Sequence, residues 1–208
     1  MTQSTTAQGA HARLARLFRE SAPLLVMLAL LLVARSSFAN HYVVPSGSMQ
    51  PTLRPGDRVV VDMSAYGVRV PFTAVTLIER DVPRAGDVAV FKSPHDGTRL
   101  IKRVVAVAGD QVALLDGRLS INGRPLARGA DAGIESFGGR QVALDLDDGG
   151  GPDIASLRVP PGKLLVLGDH RGASADGRMF GLVSADSVYA RARGVYYRRG
   201  EGLRWQAL

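Results

Sequence analysis

The sequence predicts a mainly β domain: a folded β-sheet or barrel with a small inserted β lobe, preceded by one N-terminal transmembrane helix. Three observations lead there. A leucine-rich stretch, Ala22 to Ala34, runs 13 residues without a charge. After residue 40, short valine-rich runs alternate with Gly-Asp, Pro-Gly and Asn-Gly turn signals. Helical periodicity over a dozen residues is hard to find outside the N-terminus.

The N-terminal element comes first. Residues 1–20 are polar and carry Arg13, Arg16 and Arg19, and they read as a cytoplasmic segment. Thirteen apolar residues are short for a span, which needs about 20. Starting at Ser21, and letting Arg35 snorkel so that residues up to Ala39 count, gives a crossing over 21–39. The rival is a cleavable signal peptide, because Ser37-Phe38-Ala39 is a small-x-small site. Both readings keep the arginines in the cytoplasm and export everything after residue 40. The chain would then be a single-pass protein of the cell membrane, with residues 40–208 as the exported domain.

The strands of that domain are read from runs bounded by turns. They are Arg58 to Asp62, Asp87 to Lys92, Leu100 to Val107, Gln111 to Leu115, Leu119 to Ile121 and Lys163 to Leu167. Arg54-Pro-Gly-Asp57, Arg84-Ala-Gly-Asp87 and Pro160-Pro-Gly162 are turns that feed strands. Residues 111–162 read as a smaller inserted lobe. Within it, 124–158 is glycine-rich and weakly periodic, with a mobile loop expected near Asp147 to Asp153.

Composition narrows the chemistry. The 208 residues contain no cysteine, which excludes a disulfide scaffold, a cysteine nucleophile and thiolate metal sites. The net charge is +7. The lysines are Lys92, Lys102 and Lys163, so 26 − 3 = 23 of the basic residues are arginines. Arginine does not lose its proton in a protein, so an amine base comes from three side chains or the N-terminus. Residues 189–208 hold five arginines against Glu201, a local +4. This tail reads as a solvated basic face, as a patch for anionic lipid headgroups, or as a nucleic-acid contact. No nucleic-acid-binding motif accompanies the charge, so no nucleic-acid partner is expected.

The histidines are His11, His41, His95 and His170. None falls in a His-x-x-x-His or His-Glu pattern, so no metal site is expected. No phosphate-binding loop and no Gly-x-Ser-x-Gly elbow occurs. What stands out is Val44-Pro-Ser-Gly-Ser-Met-Gln-Pro-Thr-Leu53. Its prolines stiffen both flanks, and Gly47 lets the backbone turn closely between two serines. Such a loop can present a hydroxyl and aim N–H groups at one point, although most loops of this composition are linkers. A serine nucleophile needs a base, and a neutral lysine serves if burial lowers its pKa. Lys102 lies in the most apolar lysine-bearing run, whereas Lys92 and Lys163 sit beside turns.

Four blocks occur in order: Ser46 to Leu53, Gly56 to Val61, Gly86 to Phe91 with Ile101 to Val104, and Gly168 to Gly181. Together with the apolar N-terminus they resemble the type I (leader) signal peptidases, membrane-anchored Ser-Lys proteases. The blocks run from Ser46 to Gly181, and the resemblance covers residues 42–183. The resemblance implies a signal-peptidase-like β domain that removes signal peptides from secretory preproteins at the membrane surface without a cofactor. It implies Ser48 as nucleophile and Lys102 as general base. Ser46 and the Ser48 N–H would form the oxyanion hole, and Ser174 would orient the lysine. Asp176 and Arg178 would be a structural charge pair near the site. Tyr42, Val44, Leu53 and Ile101 would line shallow pockets for small side chains. His170 and Gly177 stand where the family usually has asparagine and often has serine.

Rival readings remain at this point. Self-cleaving Ser-Lys repressors share the dyad but need an N-terminal helix-turn-helix, where this chain has an apolar run. A dedicated processing peptidase, or a binding module that kept the fold, are the others. Ser37-Phe38-Ala39 also resembles such an enzyme's own substrate, so self-cleavage after Ala39 is an expectation.

Overall fold

A computed structural model describes residues 19–28, 40–69, 76–127 and 133–208. Residues 19–28 form a helix, α1, on which Leu24, Leu25, Val26, Met27 and Leu28 are exposed. Among the described residues, no helix is long and apolar enough to cross a membrane. Most of the predicted 21–39 crossing, and the Ser37-Phe38-Ala39 site, lie outside the described residues.

Among the described residues after 40, the named strands all pair antiparallel. The strands are β1 (Asn40–Val43), β2 (Arg58–Asp62), β3 (Gly67–Arg69), β4 (Thr76–Glu79), β5 (Val88–Lys92), β6 (Arg99–Val107), β7 (Gln111–Leu115) and β8 (Arg118–Ile121). They continue as β9 (Arg124–Pro125), β10 (Ile134–Phe137), β11 (Arg140–Ala143), β12 (Ile154–Arg158), β13 (Lys163–Leu167), β14 (Val183–Ser184), β15 (Val188–Arg198) and β16 (Gly202–Ala207). A four-residue helix, α2 (Gly177–Phe180), precedes β14. The main sheet runs β1-β2-β15-β5-β6-β13-β14, with β16 also paired to β15. A four-stranded sheet, β12-β7-β8-β9, and the β10-β11 hairpin arise from residues 111–158.

The strand β13 shows why one run serves two cores. Leu-Leu-Val-Leu is continuously apolar, the pattern of a strand buried on both faces. Leu164 and Val166 pack with Phe91, Val104 and Val188. Leu165 and Leu167 pack on the other side with Val112, Leu119, Phe137 and Leu144. Alternation along the strand thus joins the main sheet to the second one.

Two sequence readings change. The basic tail at 189–208 is not a free tail. It supplies β15, which is paired to β2, β5 and β16, and β16. Val188, Ala190, Ala192 and Val195 are buried, while three arginines meet carboxylates: Arg191–Asp87 at 3.4 Å, Arg193–Asp62 at 2.6 Å and Arg198–Asp57 at 2.7 Å. Arginines on alternate positions hid a central strand behind a charge count. The loop at Asp147 to Asp153, expected to be mobile, is tied down. Arg178 donates to the Gly150 carbonyl at 2.6 Å, and the Asp153 carboxylate accepts the Asp116 N–H at 2.9 Å.

Candidate active site

The Ser48 loop is fixed from below. Val44 exchanges backbone hydrogen bonds with the Gly56-Asp57 turn, and the Leu53 N–H donates to the Met49 carbonyl at 2.8 Å. The Met49 and Leu53 side chains are completely buried, so they pin the two ends of a turn whose serines stay near the surface. Leu53, predicted as a pocket wall, is core beneath the cleft. It packs with Val44, Val59 and Val90 and lines neither of the hollows described below. Its turn aims the side chain inward.

Lys102 stands in the middle of β6 with only 3% of its surface exposed. Its ammonium Nζ donates to Ser48 Oγ at 2.6 Å and to Ser174 Oγ at 3.0 Å. Burial disfavours its charged form and lowers its pKa to about 8, against a pull upward from Asp176 and Asp169; Arg178 pushes it further down. Lys92 and Lys163 are both exposed. Ser46 Oγ lies 3.4 Å from Ser48 Oγ, on the rim of the same loop.

The turn at residues 168–170 closes the site from behind. The His170 N–H donates to the Ser48 carbonyl at 3.2 Å. A Cβ on Gly168 would collide with Ser174 Oγ and the Ser48 carbonyl oxygen, so only glycine lets Ser48, Lys102 and Ser174 meet here. Asp176 caps α2, accepts the Gly168 N–H at 2.9 Å, and is paired with Arg178 at 2.8 Å. Burial works against its charge, but the hydrogen bonds from Arg178 and the Gly168 N–H hold its carboxyl below the usual range. Arg178 thus partners the carboxylate that favours a charged Lys102, and its own charge works in the opposite direction.

One hollow adjoins Ser48, and a second shares its Pro45, Arg99, Leu100 and Ile101 lining. The first, about 440 Å³, is lined by Pro45, Ser46, Ser48, Ile101, Lys102 and His170, among others. The second, about 230 Å³, lies further along β1 and β6, between Tyr42, Val44, Val59, Val90, Arg99 and Ile101. Tyr42, Val44 and Ile101 therefore share a wall. The sequence reading missed Val59, Val90 and Arg99. Period-two spacing from Ile101 to Arg99 is the signal that would have found the last. A larger hollow of about 530 Å³, beside Pro51 and β11, includes neither Ser48 nor Lys102, so size does not mark the site. Among the described residues, no cluster of three or more His, Asp or Glu could hold a metal ion.

The family model described as "Signal peptidase, peptidase S26" matches residues 18–197. A signal peptidase I of Pseudomonas fluorescens is 32% identical over 195 residues, covering 82% of this chain and 69% of that one. A signal peptidase I of Pseudomonas aeruginosa is 34% identical over 196 residues, with the same coverages of 82% and 69%. A probable signal peptidase I-1 of Synechocystis is 30% identical over 199 residues, covering 91% and 86%. Among solved structures, a signal peptidase I from Enterococcus faecalis V583 aligns at TM-score 0.39 and 30% identity, over 53% of this chain and 97% of that one. With its match extending from residue 18 to residue 197, the next-to-last residue of β15, the chain belongs to the signal peptidase family, peptidase S26.

Proposed function

We propose that this chain is a serine endopeptidase that removes N-terminal signal peptides from secretory preproteins, with Ser48 and Lys102 as its dyad. The observation that carries this is a buried amine 2.6 Å from a serine hydroxyl, with a second serine as its other hydrogen-bond partner. A lysine so placed is neutral in a useful fraction near pH 8 and can accept a proton.

The steps follow from the positions. The cleavage segment lies extended between β1 and β6, adding main-chain hydrogen bonds. Residues at −1 and −3 point the same way, into the hollows beside Ser48 and Tyr42. Neutral Lys102 takes the Ser48 proton as Oγ attacks the scissile carbonyl. The Ser48 N–H and the Ser46 hydroxyl receive the developing oxyanion. Charged Lys102, steered by Ser174, returns the proton to the leaving amine. Water, deprotonated by the same lysine, then releases the acyl group. No cofactor enters.

The same reading places residues 1–20 in the cytoplasm, 21–39 across the cell membrane, and 40–208 on the exported side, with 111–162 as the smaller lobe. Its partners are preproteins and membrane lipid, not nucleic acid. Cleavage of a preprotein in detergent micelles by the full chain tests the dyad. Ser48→Ala and Lys102→Ala should each lose roughly 10⁴-fold in kcat/KM, while Lys92→Ala cleaves like wild type. Retained cleavage by Lys102→Ala would overturn the assignment of the base.

A further inference from the structure

Arg99 opens β6 at the far end of the second hollow. It shares a strand face with Ile101, and both residues line the two hollows. Its guanidinium carbon lies 4.5 Å from the centroid of the Tyr42 ring, within the range of a cation–π contact. Tyr42 is held in turn by its hydroxyl, 3.8 Å from Met63 Sδ. Across the ladder, Arg99 is registered opposite Lys92. Like charges directly opposite on a sheet repel, which favours the guanidinium leaning away from β5 and onto the ring. Among the described residues no carboxylate forms an ion pair with Arg99, so the aromatic face is the partner the structure gives it.

We propose that Arg99 is a specificity-determining residue: stacked on Tyr42, its flat guanidinium forms the outer wall of the second hollow and excludes bulky side chains there. The inner walls are fixed core, since Val44, Val59 and Val90 are buried. The exposed arginine is a wall that a substitution can remove without opening the core. The discrimination comes from the plane of the group and not from its charge. Lysine, a compact point charge on a flexible stem, cannot replace it.

This inference rests on the proposed preprotein cleavage. The test measures kcat/KM of the full chain in micelles on preproteins with alanine, valine, leucine or phenylalanine at −3. Wild type should favour alanine and valine. Arg99→Ala and Arg99→Lys should both raise the leucine-to-alanine ratio by roughly tenfold, the scale on which a pocket reads one or two methylenes. The apparent pKa near 8 set by Lys102 should not move, which separates a lost wall from a disturbed dyad. An unchanged ratio in both variants overturns the inference and leaves the peptidase reading intact. So does a wild-type ratio in Arg99→Lys alone, because charge would then suffice. Failure of wild type to cleave any of the four preproteins overturns the peptidase reading, and the inference with it.

Discussion

Behind the cleft, buried cations face carboxylates. Arg103 meets Asp169 at 2.7 Å, Arg171 meets Glu135 at 2.6 Å, and Arg178 meets Asp176 at 2.8 Å. Within the cleft, Lys102 is buried as deeply as Arg103, yet its hydrogen-bond partners are two serines. The two regions lie side by side, since Lys102 and Arg103 are consecutive in β6. Pairing lets the arginines stay charged and act as struts. Its absence makes the charged lysine costly and leaves the amine able to take a proton. Asp176 and Asp169, each beside its own arginine, still favour the charged lysine, and burial outweighs them.

The largest expected effect comes from breaking a strut. Arg171 and Glu135 are both fully buried, and Arg171 also donates to the Gly117 and Gly168 carbonyls. Glu135→Ala leaves the guanidinium without its carboxylate, and stability should fall by about 3–5 kcal/mol. Urea unfolding of the solubilised full chain reads this directly. Activity per folded molecule should follow only as far as the turn at Gly168 shifts. A stable Glu135→Ala chain would show that paired and unpaired cations do not differ as argued.

Removing the unpaired cation should have the opposite sign. A lysine held near 8 instead of 10.5 costs the folded state about 3 kcal/mol when charged. Below pH 8 both folded and unfolded chains hold the proton, so the full cost is present. Between pH 8 and 10.5 the unfolded chain binds the proton and the folded chain does not, so stability rises with pH. Above 10.5 the cost is gone. Lys102→Met should therefore be inactive yet more stable than wild type at pH 6, by about 3 kcal/mol. The difference should shrink as pH approaches 10.5. For wild type, the same lowered pKa requires kcat/KM to climb with pH and level off above about 8.

How far the sequence carried these distinctions differs by residue. The runs that became β2, β7 and β13 were legible with their bounds, because valine and leucine between turn signals determine a strand locally. The Ser46–Ser48 loop and Lys102 were singled out through the ordered blocks; the burial of Lys102 was not legible from its strand alone, where a lysine more often faces outward. The strand β15 was not, because its arginines read as a basic face until Asp57, Asp62 and Asp87 are brought beside them. Those partners lie 104 to 141 residues away, and no local window contains them. Glu135 was invisible for the same reason. Arg99 was missed for another: a cation at a strand end is usually solvated, and its stacking on Tyr42 appears only when β1 and β6 flank one hollow.

The smallest expected effect sharpens the comparison most, because it leaves every charge in place. Ser174 carries no charge, and its hydroxyl is hydrogen-bonded to the Asp176 carboxylate. Its oxygen accepts one hydrogen bond from Lys102 Nζ at 3.0 Å, which on the proposed reading holds the amine toward Ser48. Ser174→Ala removes both bonds and opens little space. Hydrogen bonds to charged groups are worth about 1.5–3 kcal/mol, so kcat/KM should fall roughly 10- to 100-fold. The loss should appear in kcat with little change in KM, since Ser174 does not line the hollow beside Tyr42. Ser174→Thr keeps the oxygen and should recover part of the loss if the added methyl is accommodated against Gly168. An effect confined to KM would instead place Ser174 among the groups that bind substrate, and the amine would owe its aim to packing within β6 alone.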